Sequence, residues 1–266
     1  MSADYIPLTP GQVALAAALI LICGAVSLGL GLGLERRLAL AAVRTIAQLL
    51  AIGFVLRWIF AESRWYLVLS MMTAMTLIAG LSAIGRTKRR YRWMWLDSIL
   101  SIGLSAWLMV IVALTVILRV PTWYEPQYAI PLLGMLLGNT LNGIALGADR
   151  LGEDLTSQRD QVETLLALGA TRWEAARTPI REAVRTGMVP TINTMMVVGL
   201  VSLPGMMTGQ ILAGTSPLQA VLYQIVIMFL IAAGTSLGTL ALVLLAYRRL
   251  FTPDHQFVPA RLVKRR

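Results

Sequence analysis

From Gly11 to Leu34 the chain reads GQVALAAALILICGAVSLGLGLGL, without one charged side chain. A helix of about 20 apolar residues crosses the roughly 30 Å hydrocarbon core of a bilayer, whereas a soluble domain has little use for so long an uninterrupted run. Further predominantly apolar runs cover 40–61, 65–84, 97–118, 129–148, 189–213 and 219–247. They are continuous rather than alternating, which excludes a transmembrane β-barrel, whose strands alternate apolar and polar residues. The charged fraction is 14%, against about 25% in soluble domains. The reading is an all-α, multi-pass membrane protein, a single transmembrane domain over 1–266 with seven predicted spans. The segment MSADYIPLTPG before the first run has no basic n-region, so the first helix is expected to stay in place.

Orientation follows from the basic residues. Arg36 and Arg37 follow the first span; Arg86, Lys88, Arg89, Arg90 and Arg92 follow the third. Arg150, Arg159, Arg172, Arg177, Arg181 and Arg185 fall between the fifth and sixth, and the tail holds Arg248, Arg249, Arg261, Lys264, Arg265 and Arg266. The opposite loops have little beyond Arg57, Arg64 and Arg119. By the positive-inside rule the N-terminus is outside and the C-terminus cytoplasmic, with Trp58, Trp65, Trp123 and Tyr124 at the outer boundary. The net charge of +10 is then topological and gives no reason to expect a nucleic-acid partner. Cys23 is the one cysteine and His255 the one histidine, which excludes a disulfide framework and histidine zinc chemistry within one chain. No strong internal repeat is present, which weighs against an inverted-repeat transporter.

Between the fifth and sixth spans lies the insert 149–188. Val162, Leu165, Leu166 and Leu168 give one helix an apolar face. Gly169 can take the left-handed conformation that ends it, and Thr171 with Glu174 forms a T-x-x-E capping box that starts another. Thr178-Pro179 predicts a third start or a kink. By its residues alone the insert reads as an amphipathic segment lying on the anionic inner leaflet, helped by its arginines.

The stretch ETLLALGATRW, with Glu163 six residues before Gly169, resembles the EAA-type loop of ABC-transporter permeases. That resemblance implies a coupling helix that docks into a cleft of an ATPase, with Glu163, Leu166, Gly169, Ala170, Thr171 and Trp173 at the contact. More widely, AVRTIAQLLAIGFVLRWIF, IPLLGMLLGNTLNGIALGADRLG, LGATRWEAARTPIREAVR and VGLVSLPGMMTGQILAG are similar to FetB-like permeases. Membership of that family implies the inner-membrane subunit of an iron exporter served by a separate ATP-binding subunit; plant relatives are linked to aluminium tolerance and UDP-glucose transport. The ABC resemblance further implies two permeases with two ATPases. The chain's only lysines, Lys88 and Lys264, lie outside any G-x-x-x-x-G-K-[ST] pattern. ATP and Mg are therefore expected on the partner, with no cofactor on this chain.

Polar groups inside spans must find partners away from water, so they mark candidate path residues. Arg44 and Gln48 sit one turn apart, suited to snorkelling or to the mouth of a path. Asn139 and Asn142 fall near one face of span five, among Gly134, Gly138, Gly143 and Gly147, which form small-xxx-small seams. As one continuous helix, span six aligns Asn193, Met196, Leu200, Pro204 and Met207, with Met195 and Met206 turned elsewhere. Pro204 is expected to bend it, Gly205 and Gly209 to pack against a neighbour, and Gln210 to join the path candidates. Met196 and Met207 are either gap-fillers or soft metal contacts. Export of iron or a related metal is the first functional reading. A nucleotide sugar or other organic anion, attracted by Arg44, and a non-transporting membrane anchor that regulates its ATPase are the alternatives.

Overall fold

The computed structural model describes residues 9–264. Among them, six helices are long and apolar enough to cross a membrane: α1 (Pro10–Gly29), α2 (Glu35–Glu62), α3 (Trp65–Arg86), α4 (Met94–Ile111, prolonged by a π-helical turn to Ile117), α5 (Pro126–Ser157) and, near the C-terminus, a 34-residue helix at Pro217–Leu250. Three shorter or more polar helices lie between the last two: α6 (Arg159–Ala167), α7 (Arg172–Val197) and α8 (Gly205–Leu212), which makes the Pro217–Leu250 helix α9. A two-stranded antiparallel ribbon pairs β1 (Arg89–Arg90) with β2 (Val263–Lys264).

The chain divides into two compact units. One is the α1–α2 hairpin with Leu212–Thr215. Pro10 opens α1 at a position where a missing N–H costs nothing. Gly31 and Gly33 both take positive φ in the turn that follows, so the expected span 11–34 stops being helical at Gly29. Ser27 clamps the turn: its hydroxyl accepts from the Leu34 N–H at 3.0 Å and donates to Glu35 Oε2 at 3.0 Å.

The second unit packs α3, α4, α5, α7 and α9 around a core rich in small residues. A Cβ at Gly187 of α7 would stand 2.6 Å from the Gly143 carbonyl oxygen, and one at Gly143 of α5 would stand 2.8 Å from Thr239 Oγ1 of α9. Three backbones thus meet where no larger side chain fits, the close approach that glycine permits between membrane helices. At the α3–α4 contact, Ser98 donates to the Gly80 carbonyl at 2.9 Å, and Trp107 Nε1 donates to Thr76 Oγ1 at 3.0 Å.

Several boundaries differ from expectation. The 32 residues of α5 extend about 48 Å, well beyond the bilayer core, so the start of the predicted insert, 149–157, is the continuation of a helix rather than a loop. α7 runs unbroken through Pro179 and Pro190, so Pro179 neither starts nor ends a helix. Most consequentially, the expected span 189–213 is not one helix. α7 stops at Val197, residues 198–204 leave the helical path, and α8 begins after Pro204. Gly199 takes φ +85°, and its N–H bonds to the Ser202 carbonyl at 2.9 Å. Pro204, which lacks an N–H, stands at the start of α8 instead of bending a continuous helix.

At one end of this unit three of the four basic segments converge. The Lys88 N–H donates to Asp149 Oδ1 at 2.6 Å, β1 pairs with β2, and the tail after α9 reaches the start of α7.

Candidate functional site

The α6–α7 corner is determined by local chemistry. Gly169, at φ +90°, closes α6 in a Schellman arrangement: its N–H bonds to the Leu166 carbonyl, and the Ala170 N–H to that of Leu165. Two residues later the capping box forms. Thr171 Oγ1 accepts from the Glu174 N–H at 3.3 Å, while Glu174 Oε2 accepts from the Thr171 N–H at 2.7 Å. The bonds from the Thr171 hydroxyl and N–H hold the Glu174 carboxyl below its ordinary range.

Only part of the expected apolar face of α6 turns inward. Val162 is buried and Leu166 half-buried, but Leu165 and especially Leu168, 80% exposed, point out, as does Trp173 of α7 at 46%. Glu163 is held by Arg159, whose Nε lies 2.7 Å from Glu163 Oε1. The outward surface is therefore apolar at the bend and ion-paired beside it.

From behind, the corner is braced by the far end of α9. Trp173 packs edge-on against Tyr247 with centroids 5.7 Å apart, and Tyr247, Phe251 and Phe257 stack onward at 5.3 and 5.2 Å. The Arg172 N–H donates to His255 Nδ1 at 3.0 Å, and its guanidinium donates to the Thr252 carbonyl at 3.2 Å. Neither the clasp nor His255 was singled out as functional from sequence; the i,i+4 pair Tyr247 and Phe251 was the available signal.

A second missed feature is the ion pair of Asp97, at the start of α4, with Arg249, at the end of α9. Arg249 Nη2 lies 3.2 Å from Asp97 Oδ1, whose side chain is 2% exposed. Burial, then the Asp97 charge, pushes the nearby Tyr91 phenol above its ordinary range. Asp97 was visible as the one acidic residue inside a predicted span.

The broken segment borders two cavities. The larger, about 560 Å³, is lined by Met195, Leu203, Met207, Gln224, Met228 and Phe229 among others. The smaller, about 200 Å³, takes in Asn139, Thr191, Thr194, Pro204, Gly205 and Met206, and again Gln224 and Met228. Gln224 is 6% exposed, and its Oε1 has no hydrogen-bond partner among the described residues.

These positions separate residues that helical periodicity had grouped. Asn139 lines the smaller cavity while its amide donates to the Met135 carbonyl at 2.8 Å; Asn142 instead accepts from Arg86 and is exposed. Of the two amides, Asn139 alone lines that cavity. Asn193 and Met196 are exposed, and Met195, not Met196, shares the larger cavity with Met207. The break between α7 and α8 resets the helical phase, which is why the single-face alignment fails. Gln210 is half-buried, with an Oε1 unpaired among the described residues. A Cβ on Gly205 or Gly209 would meet nothing within 4 Å, so these glycines are not a tight seam within this chain. Arg44 and Gln48 lie exposed on α2, in the other unit.

Six long apolar helices, with a capped and braced corner and cavities at an interrupted helix, define a multi-pass membrane protein. The family model UPF0014, an uncharacterised protein family, matches residues 10–251, and the chain belongs to that family. It is 43% identical to the UPF0014 membrane protein slr1647 of Synechocystis, over 86% of this chain and 88% of the relative. It is 33% identical to the probable iron export permease protein FetB of Escherichia coli, over 97% and 98% of the two chains. Identity to the protein ALUMINUM SENSITIVE 3 of Arabidopsis thaliana is 33%, over 92% and 89%. No solved structure matches.

Proposed function

We propose that this chain is the membrane subunit of an ABC-type transporter that exports iron or a related metal ion, with ATP hydrolysed by a separate cytosolic subunit docked at the α6–α7 corner. The observation that carries this reading is the continuity of α7: it begins at the exposed apolar corner and ends at the break beside the two cavities. A push on Leu165, Leu168 and Trp173 would be delivered along one continuous helix to the place where the membrane segment is least regular. The name of the E. coli relative supports the metal substrate. The gathering of the basic segments at the corner's end of the unit supports a cytoplasmic corner. In this reading ATP and Mg belong to the partner, and two copies of the chain work with two ATPases.

An organic anion is less well supported, because the described residues lining the two cavities include no Lys or Arg to receive its charge. Gly169→Pro tests the docking assignment. Proline cannot adopt φ +90° and removes the N–H bonded to Leu166. The variant should remain folded but lose copurification with the ATPase and stimulation of ATP turnover. Unaltered copurification and stimulation would remove the corner from the mechanism.

A further inference from the structure

The two cavities differ from the rest of the protein in their sulfur content. Met135, Met195, Met206, Met207 and Met228 are five of the 19 residues lining them, against 13 methionines in 266 residues overall. Filling gaps in a packed core is the ordinary use of methionine, but these side chains surround open volumes of about 560 and 200 Å³. Gln224 lies between the two volumes, a lining residue of both, with its amide oxygen buried and unpaired among the described residues. A buried acceptor without a partner is unfavourable, and this one borders open volume in which a ligand could satisfy it.

The donor set limits that ligand. The described lining residues offer thioethers, amides and hydroxyls, and include no Asp, Glu, His or Cys. A hard, highly charged cation would be stripped of water with no carboxylate to compensate it. Thioethers favour soft ions, and a single charge keeps the desolvation cost smallest.

We infer that Gln224 with Met195, Met207 and Met228 forms a binding site for a soft, low-charge metal cation of the Cu(I)/Ag(I) class. Its place on a transport route rests on the function proposed above, with the cargo there a related soft metal rather than iron; the binding itself does not. Met196 is adjacent in sequence, yet 73% exposed and outside the lining of both cavities, and so serves as an internal control.

The test uses the full chain in lipid nanodiscs with Cys23→Ser, because the exposed Cys23 thiol would itself take soft ions. Calorimetric titration with Ag⁺, which resists redox change, should show a saturable site. Met195→Leu/Met207→Leu/Met228→Leu should weaken it at least ~10-fold, Gln224→Leu should weaken it measurably, and Met196→Leu should leave it unchanged. Leucine nearly conserves methionine volume, and thermal unfolding checks that each variant folds. Ag⁺ affinity indifferent to both the triple substitution and Gln224→Leu overturns the site, and anaerobic Fe²⁺ binding as tight as Ag⁺ overturns its soft character. Gly169→Pro should keep Ag⁺ binding while losing ATP-driven flux. Flux that survives the triple substitution takes the site off the transport route and leaves the transport reading; Ag⁺ binding without flux in the wild-type pair keeps the site and overturns the transport reading.

Discussion

At its N-terminal end α7 is fastened by a capping box, a Schellman turn and an aromatic clasp, while at its C-terminal end it runs out into seven non-helical residues, 198–204, whose Leu200 and Val201 are 89% and 83% exposed. Orphan helix donors at the first end are met by side chains. Beside the second end, Gln224 and Gln210 keep unpaired oxygens among the described residues. Under the proposed function the contrast is one of mechanical roles. A rigid corner can receive a force without absorbing it, and a segment with few internal bonds can change conformation at small cost.

Between the two ends α7 must stay packed as a strut, and the sharpest break is aimed there. Gly187→Leu drives a side chain against the Gly143 carbonyl; overpacking of this kind costs about 1–3 kcal/mol or more. The expected result is loss of monodisperse protein on size-exclusion chromatography. Next is Arg249→Met, which leaves the Asp97 carboxylate buried without its partner. Its melting temperature should fall, and Asp97→Asn in the same chain should restore much of the loss.

Smaller effects separate the two ends of α7. Thr171→Ala removes the cap and should cost about 1 kcal/mol, with ATPase stimulation reduced more than overall stability. The same corner carries a pH signature. Because the folded state lowers the Glu174 pKa from 4.5, the stabilisation is complete above that value and fades as pH falls through the lowered one. Coupling in Thr171→Ala should therefore lose this acid-dependent part. Gly209→Ala, where a Cβ meets open space, should leave the melting temperature unchanged; a clear fall would mean that a second copy packs there.

What could be read from sequence divides along the same lines. The corner was legible because Gly169, Thr171 and Glu174 act on neighbours within a few residues, so that spacing alone determines the turn. The break was not, because hydropathy counts apolar side chains and is blind to the loss of helical hydrogen bonds. Gly199 and Pro204 were both in view, yet one bend was expected where seven residues unwind. That error propagated to Met196 and Met207, whose grouping on one face depended on an unbroken helical phase. Hydropathy likewise marked where α5 leaves the bilayer, not where its helix ends. Asp97 and Arg249 are 152 residues apart, and their pairing depends on how α4 and α9 pack.

The central claim is that force received at the corner reaches the cavities through α7. Its most direct test is ATP-driven metal flux in proteoliposomes containing the chain and its cytosolic ATPase, compared with the Gly169→Pro variant in the same preparation. The account predicts flux for the wild type and none for the variant, with Ag⁺ binding retained in both. Equal flux in the two would contradict it.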